Sequence, residues 1–186
     1  MTADRFPRVV SLACHDLRTP LATVYGFART LSRAGELDER NARFVEMIES
    51  ASEQMTVMLD QLGVLARIES GRYEPTPMEV DTLELATSDD ERISASGEGT
   101  TIETDVQPVT RGLESLAIAA VRHGGVERVT WTVNGRELVL APVNESSAPV
   151  LLGDELRDLG SIVAGAVIER LGGSLEVRGA TLRVTV

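Results

Sequence analysis

The chain has 186 residues, 42% of them apolar, and a formal net charge of −11, enough for one ordinary domain or two small ones with a real core. No apolar run is long enough to cross a bilayer and the N-terminus does not read as a signal peptide, so a cytoplasmic location is expected. A single cysteine, Cys14, excludes an internal disulfide framework, and one Cys with two His does not make a usual zinc site; Cys14 reads as a small helix residue in a reducing compartment.

The charge is uneven and every cation is arginine. Residues 1–72 carry 9 Arg against 10 Asp plus Glu, whereas residues 73–186 carry 9 against 19. A lysine-free, acidic second half is a poor surface for nucleic acid, and a poor one for polyphosphate unless a specific pocket offsets it.

The first predicted element is an amphipathic helix containing SLACHDLRTPL, residues 11–21. Within it Val10, Ala13, Leu17, Val24, Ala28 and Leu31 form an apolar stripe, and Pro20 occupies one of its positions. His15 lies about 200° from both Ala13 and Leu17 on a helical wheel, so it faces solvent, with Thr19 one turn along on the same face. Asp16 and Arg18 flank that face, and the group of side chains is suited to handling phosphate. Pro20 offers no N–H to the Asp16 carbonyl and clashes with it, which is expected to bend or loosen the turn carrying His15.

A break around Ala34, Gly35, Glu36, Leu37 and Asp38 follows, with Gly35 ending one helix and Asp38 capping the next. From there Phe44, Ile48, Ala51, Met55, Met58, Leu62 and Leu65 step alternately by four and three, the heptad spacing of a seam between packed helices. Residues 1–72 therefore form an antiparallel helical hairpin. Its long apolar seam favours a second copy, giving a twofold four-helix bundle, over cover supplied by the rest of the chain.

Tyr73 to Pro77 holds two prolines and reads as a linker. Beyond it, strands are expected at 80–86 and 101–105, irregular chain at 87–100 and a helix at 108–123. A hairpin at 127–134 and 137–141 turns at Asn134 and Gly135; a second helix at 154–171 and a terminal hairpin at 174–178 and 181–186 complete the chain. Residues 73–186 thus read as a small α/β sandwich.

The run SLACHDLRTPLATVYGFARTL is similar to the phosphoacceptor helix of sensor histidine kinases, whose motif reads His, acidic, Leu, Lys or Arg, Thr or Asn, Pro, Leu; His15 to Leu21 match it throughout. The second helix, ending LDQLGVLARIESGRY, resembles the family's dimerisation helix, and the order of elements in 73–186 resembles its ATP-binding domain. The resemblance implies a dimerisation and phosphoacceptor hairpin at 1–72 and a reduced ATP-binding fold at 73–186.

In that fold the family's nucleotide motifs are degenerate. Where relatives carry Asn-Leu-Leu-x-Asn-Ala with a metal-ligating second Asn, this chain has Ser115, Leu116, Ala117, Ile118, Ala119 and Ala120; Ala119 has no oxygen for a hard cation. The adenine motif Asp-x-Gly-x-Gly aligns with Pro142, Asn144 and Ser146, and the phosphate-side Gly-x-Gly-Leu with Asp158, Leu159, Gly160 and Ser161. About ten residues separate the last two motifs, too few for the usual lid. Arg122, His123, Gly124 and Gly125, and Leu171, Gly172 and Gly173, fit helix ends and turns. No cofactor is expected on this chain.

A histidine phosphotransferase resembling the dimeric ChpT-like proteins follows, passing a phosphoryl group between His15 and receiver-domain aspartates, with Mg²⁺ held by the receiver's own carboxylates. An upstream hybrid histidine kinase is the implied donor system, and neither nucleic acid nor membrane is an expected partner. Asp16 orients the imidazole or takes its proton, and Arg18 steadies phosphate oxygens or meets the partner's acidic pocket. Thr19, by the resemblance to bifunctional kinases, positions water. An ordinary exposed charge at Arg18 and a backbone-bonded hydroxyl at Thr19 stand beside these roles. The alternatives are a kinase or receiver phosphatase with a divergent nucleotide pocket, and a non-catalytic receiver-binding module.

Overall fold

The computed structural model describes residues 5–34 and 37–186, which fall into two compact units, Met1–Arg72 and Tyr73–Val186. The first unit is a hairpin of α1 (Arg5–Ala34) and α2 (Glu39–Glu69). Asp38 caps α2 by accepting the Asn41 N–H at 2.8 Å, whereas the expected helix end at Gly35 lies outside the described residues. At the far end Arg72 N–H donates to the Arg67 carbonyl and Gly71 N–H to that of Ile68. This pair closes α2 as a Schellman turn, with Gly71 at φ +66° where a side chain would be strained. Pro20 sits inside α1 without interrupting it, so the loosening expected there is confined to the hydrogen bond that proline cannot donate to the Asp16 carbonyl.

The layer between the two helices differs from the expected one. Cys14, Leu21 and Ala28 on α1 face Val45, Ser52, Leu59, Gly63 and Ala66 on α2, and both sets repeat every seven residues or nearly so. Ser52 is tolerated in this layer because its hydroxyl donates to the Ile48 carbonyl at 2.7 Å. Of the stripe read from the sequence, Leu17, Val24, Leu31, Phe44, Ile48, Met55 and Met58 are exposed. Ala28 of that stripe is in the layer and Val10 and Leu62 pack against it, so the heptad pattern borders the α1–α2 contact and extends onto a flank that these two helices leave bare. The contact itself mixes Leu21, Val45 and Leu59 with the small residues Cys14, Ala28, Ser52, Gly63 and Ala66, which weakens its hydrophobic signal.

The second unit contains β1 (Met78–Asp81), α3 (Thr82–Leu85), β2 (Ile93–Glu98), β3 (Thr101–Thr104) and α4 (Val106–Gly124). It continues with β4 (Val129–Asn134), β5 (Glu137–Ala141), α5 (Ala148–Leu151), α6 (Leu159–Arg170), β6 (Ser174–Arg178) and β7 (Thr181–Thr185). β1 and β3 pair antiparallel, and a five-stranded sheet runs β2-β4-β5-β7-β6 with only β2 and β4 parallel. Alternation puts Val129, Trp131 and Val133 of β4 inward with Leu138, Leu140, Leu182 and Val184 of its neighbours. Leu113 and Leu116 of α4 and Val167 and Ile168 of α6 complete this core.

Four expectations change. The strand expected over 80–86 ends at Asp81, whose carboxylate accepts the Leu83 N–H at 2.8 Å and starts a helical turn instead. Within the stretch read as irregular, 93–98 form β2 by pairing with β4. The last helix begins at Leu159 rather than 154, because Asp158 caps it. Tyr73, read as linker, is buried and donates from its hydroxyl to Asp105 Oδ2 at 2.7 Å.

Candidate functional site

The site is built on the polar flank of the hairpin. Because Cys14 and Leu21 turn towards α2, residues 15, 18, 19 and 22 turn away from the bare apolar stripe. Cys14 itself is only 4% exposed and packs with Leu21 and Leu59, so its thiol belongs to the helix contact. His15 presents 78% of its side chain to solvent, and its Nδ1 lies 3.1 Å from Asp16 Oδ1. With the hydrogen on Nδ1 donated to Asp16, the Nε2 lone pair points outward as an acceptor and nucleophile.

Arg18 follows one turn later and reaches across the hairpin, its Nη2 donating to Asp60 Oδ1 of α2 at 2.7 Å. Thr19 is exposed, and its carbonyl accepts the Thr23 hydroxyl at 3.2 Å. His15, Arg18, Thr19, Ala22 and Thr23 line an open groove of about 500 Å³. The structure therefore brings His15, Asp16, Arg18 and Thr19 onto one flank and adds Asp60. Sequence reading missed Asp60, since 42 residues separate it from Arg18 and no local spacing links them.

In the second unit the residues aligned with nucleotide motifs are bound into the fold. Ala119 is fully buried. The neighbouring face of α4 packs directly on α6: a Cβ at Gly160 would meet Ser115 Cβ at 2.8 Å, and one at Gly112 would meet Ala164 at 3.3 Å. Asp158 Oδ1 accepts the Ser161 N–H at 3.0 Å, while Oδ2 lies 3.2 Å from Arg122 Nη1 and 3.4 Å from His123 Nε2. Its side chain is 8% exposed. A carboxylate of the chain itself thus occupies the anion-attracting end of α6.

The loop after β5 is bound in the same way. Asn144 Nδ2 donates to the Gly124 carbonyl at 2.6 Å, and the Ser146 hydroxyl donates to that of His123 at 2.9 Å. Both side chains satisfy carbonyls at the end of α4, which Gly125 closes at φ +62°. At these places the structure offers a buried methyl group at Ala119 and, at the start of α6, a carboxylate already engaged in capping the helix.

Residues 8–71 match the family model of the His Kinase A (phospho-acceptor) domain. The chain is 30% identical over 101 residues to the probable sensor histidine kinase TcrY of Mycobacterium tuberculosis, a stretch covering 54% of this chain and 21% of that protein. Its fold is similar to that of full-length ShkA, solved in complex with AMPPNP, with a TM-score of 0.66 at 18% identity over 96% of this chain and 44% of that one. It is also similar in fold to the histidine kinase AdeS of Acinetobacter baumannii, with a TM-score of 0.54 at 16% identity over 92% and 95% of the two chains. The chain spans about a fifth of the length of TcrY. Among the described residues, no helix is long and apolar enough to cross a membrane.

Proposed function

We propose that the chain, whose residues 8–71 match the phospho-acceptor domain of histidine kinases, is a histidine phosphotransferase of two-component signalling without autokinase activity. The observation that carries this reading is Asp158, a buried carboxylate seated at the end of α6 where a nucleotide phosphate would have to enter. Ala119 supports it from α4. The hairpin, by contrast, keeps an accessible imidazole with a carboxylate on one ring nitrogen.

Transfer begins at His15 Nε2, whose lone pair attacks the phosphorus of a receiver's aspartyl phosphate. The new P–N bond forms as the P–O bond breaks, and the aspartate leaves as carboxylate with the electron pair. Nδ1–H against Asp16 stabilises the positive charge that develops on the ring. A second receiver's aspartate reverses the step. Arg18 offers N–H donors to the phosphoryl oxygens from the groove edge, and Thr19 orients water when a receiver is dephosphorylated. Mg²⁺ belongs to the receiver.

Two copies form the working unit in the cytoplasm, joined through the bare flank of Leu17, Val24, Ile48, Met55 and Met58. An apolar stripe of this extent suits a four-helix bundle and leaves His15 on the outside. A hybrid histidine kinase, through its receiver, is the proposed source of phosphate.

The test offers the purified protein a phosphorylated receiver and, separately, labelled ATP with Mg²⁺. Label should pass to His15 from the receiver alone, and His15→Ala should abolish it while preserving the helical circular dichroism. Labelling of His15 from ATP would overturn the reading.

A further inference from the structure

The ion pair between Arg18 and Asp60 is hard to explain as a stabilising device. Its two side chains are 47% and 36% exposed, and a half-exposed pair contributes little to holding helices together. Its position is more telling. Arg18 lies one turn from His15 on α1 and lines the same groove, whereas Asp60 comes from α2, so the contact fixes a long, flexible side chain relative to a second helix. An arginine has five N–H donors in a rigid plane, and the Asp60 contact at Nη2 leaves donors that can reach phosphoryl oxygens. Without such a partner the guanidinium would sample many rotamers, each unproductive state lowering the rate.

From this geometry we infer that Asp60 is a positioning residue for phosphoryl transfer, holding the Arg18 guanidinium at the groove edge where it meets the phosphoryl group on His15. The inference deepens the phosphotransferase reading and rests on it for the reaction, but the placement of Arg18 beside a phosphorylated His15 can be tested separately. Asp60 touches no reacting atom. The inferred effect passes through Arg18, so the two residues are expected to be thermodynamically coupled.

The experiment measures transfer between a phosphorylated receiver and the protein for wild type, Asp60→Asn, Asp60→Glu, Arg18→Ala and the double variant Arg18→Ala with Asp60→Asn. Asp60→Asn should slow transfer by roughly tenfold or more with receiver affinity unchanged. Asp60→Glu should recover most of the rate. In the Arg18→Ala background, Asp60→Asn should have no further effect. An unchanged rate in Asp60→Asn, full additivity in the double variant, or affinity falling in step with the rate would each overturn the inference. A second measurement needs no receiver: His15 is phosphorylated chemically with phosphoramidate and its ³¹P resonance recorded. Asp60→Asn should move that resonance towards the Arg18→Ala position, and an unmoved resonance overturns the inference. Failure of wild type to accept phosphate from receivers would instead sink the phosphotransferase reading, leaving the resonance to decide the role of Asp60.

Discussion

The hairpin and the α/β unit treat their polar side chains in opposite ways. Along α1 the histidine, carboxylate, arginine and threonine of the motif point outward, and their one long-range tie, Arg18 to Asp60, is itself exposed. In the α/β unit the residues aligned with binding motifs are tied to the fold itself: buried Asp158 caps α6, and Asn144 and Ser146, at the surface, hold carbonyls at the end of α4. Apolar residues show the reverse distribution. Trp131 and most large side chains of the α/β core are fully buried, while the hairpin exposes phenylalanines, leucines and methionines along one flank. One unit buries its large apolar side chains within itself and the other leaves a flank of them bare.

The bare flank gives the largest expected effect. Replacing Met55 and Met58 by aspartate should convert a dimer to a monomer in sedimentation equilibrium, because each unpaired charge buried in a bundle costs on the order of 3–5 kcal/mol. A wild-type monomer would break the comparison at its strongest point. Next is the closed core: Trp131→Ala should destabilise the α/β unit by about 3–5 kcal/mol in chemical denaturation followed by near-ultraviolet circular dichroism, while leaving acceptance of phosphate by the hairpin intact.

Asp158→Ala sharpens the contrast further. It removes a helix cap and leaves Arg122 and His123 without their carboxylate, a loss of roughly 1–3 kcal/mol in thermal unfolding. Binding of Mg-ATP should still be absent by calorimetry, since Ala119 is unchanged. The smallest effect concerns Asp90, whose carboxyl is held down to about 2 from 3.8 by its side-chain and backbone hydrogen bonds from Arg92. Because the folded state prefers the ionised form, this contribution is complete above about pH 4 and lost as pH falls towards 2. Solvent around the pair limits it to under about 1 kcal/mol. Wild type and Asp90→Asn should therefore differ slightly at pH 7 and converge near pH 2.

How much could be read from the sequence depended on the range of the interaction involved. The two long helices, the Asp38 cap, the turn at Asn134 and Gly135 and the α4 end at Gly125 all rest on contacts a few residues apart. The heptads of α2 mark an apolar face, but periodicity does not say which neighbour that face meets. The α1–α2 layer is only partly visible to a search for large apolar residues, because Cys14, Ser52 and Gly63 alternate in it with Leu21, Val45 and Leu59. β2 escapes because ISASGE has little strand character of its own and is held by parallel pairing with β4. In the site, His15, Asp16, Arg18 and Thr19 form a local cluster, whereas Asp60 meets Arg18 only through the hairpin. The acidic character of Asp158 is plain in the sequence; that it caps α6 and gathers Arg122 and His123 is a property of the folded unit.

The seating of Asp158 has a further consequence for what the α/β unit can sense. A ligand joined to its receptor by the chain itself competes at an effective concentration set by geometry, and a short, well-directed tether makes that concentration high. A free anion must displace it without any such advantage. A free phosphate therefore meets the α6 end at a disadvantage for as long as Asp158 stays seated on the Ser161 N–H.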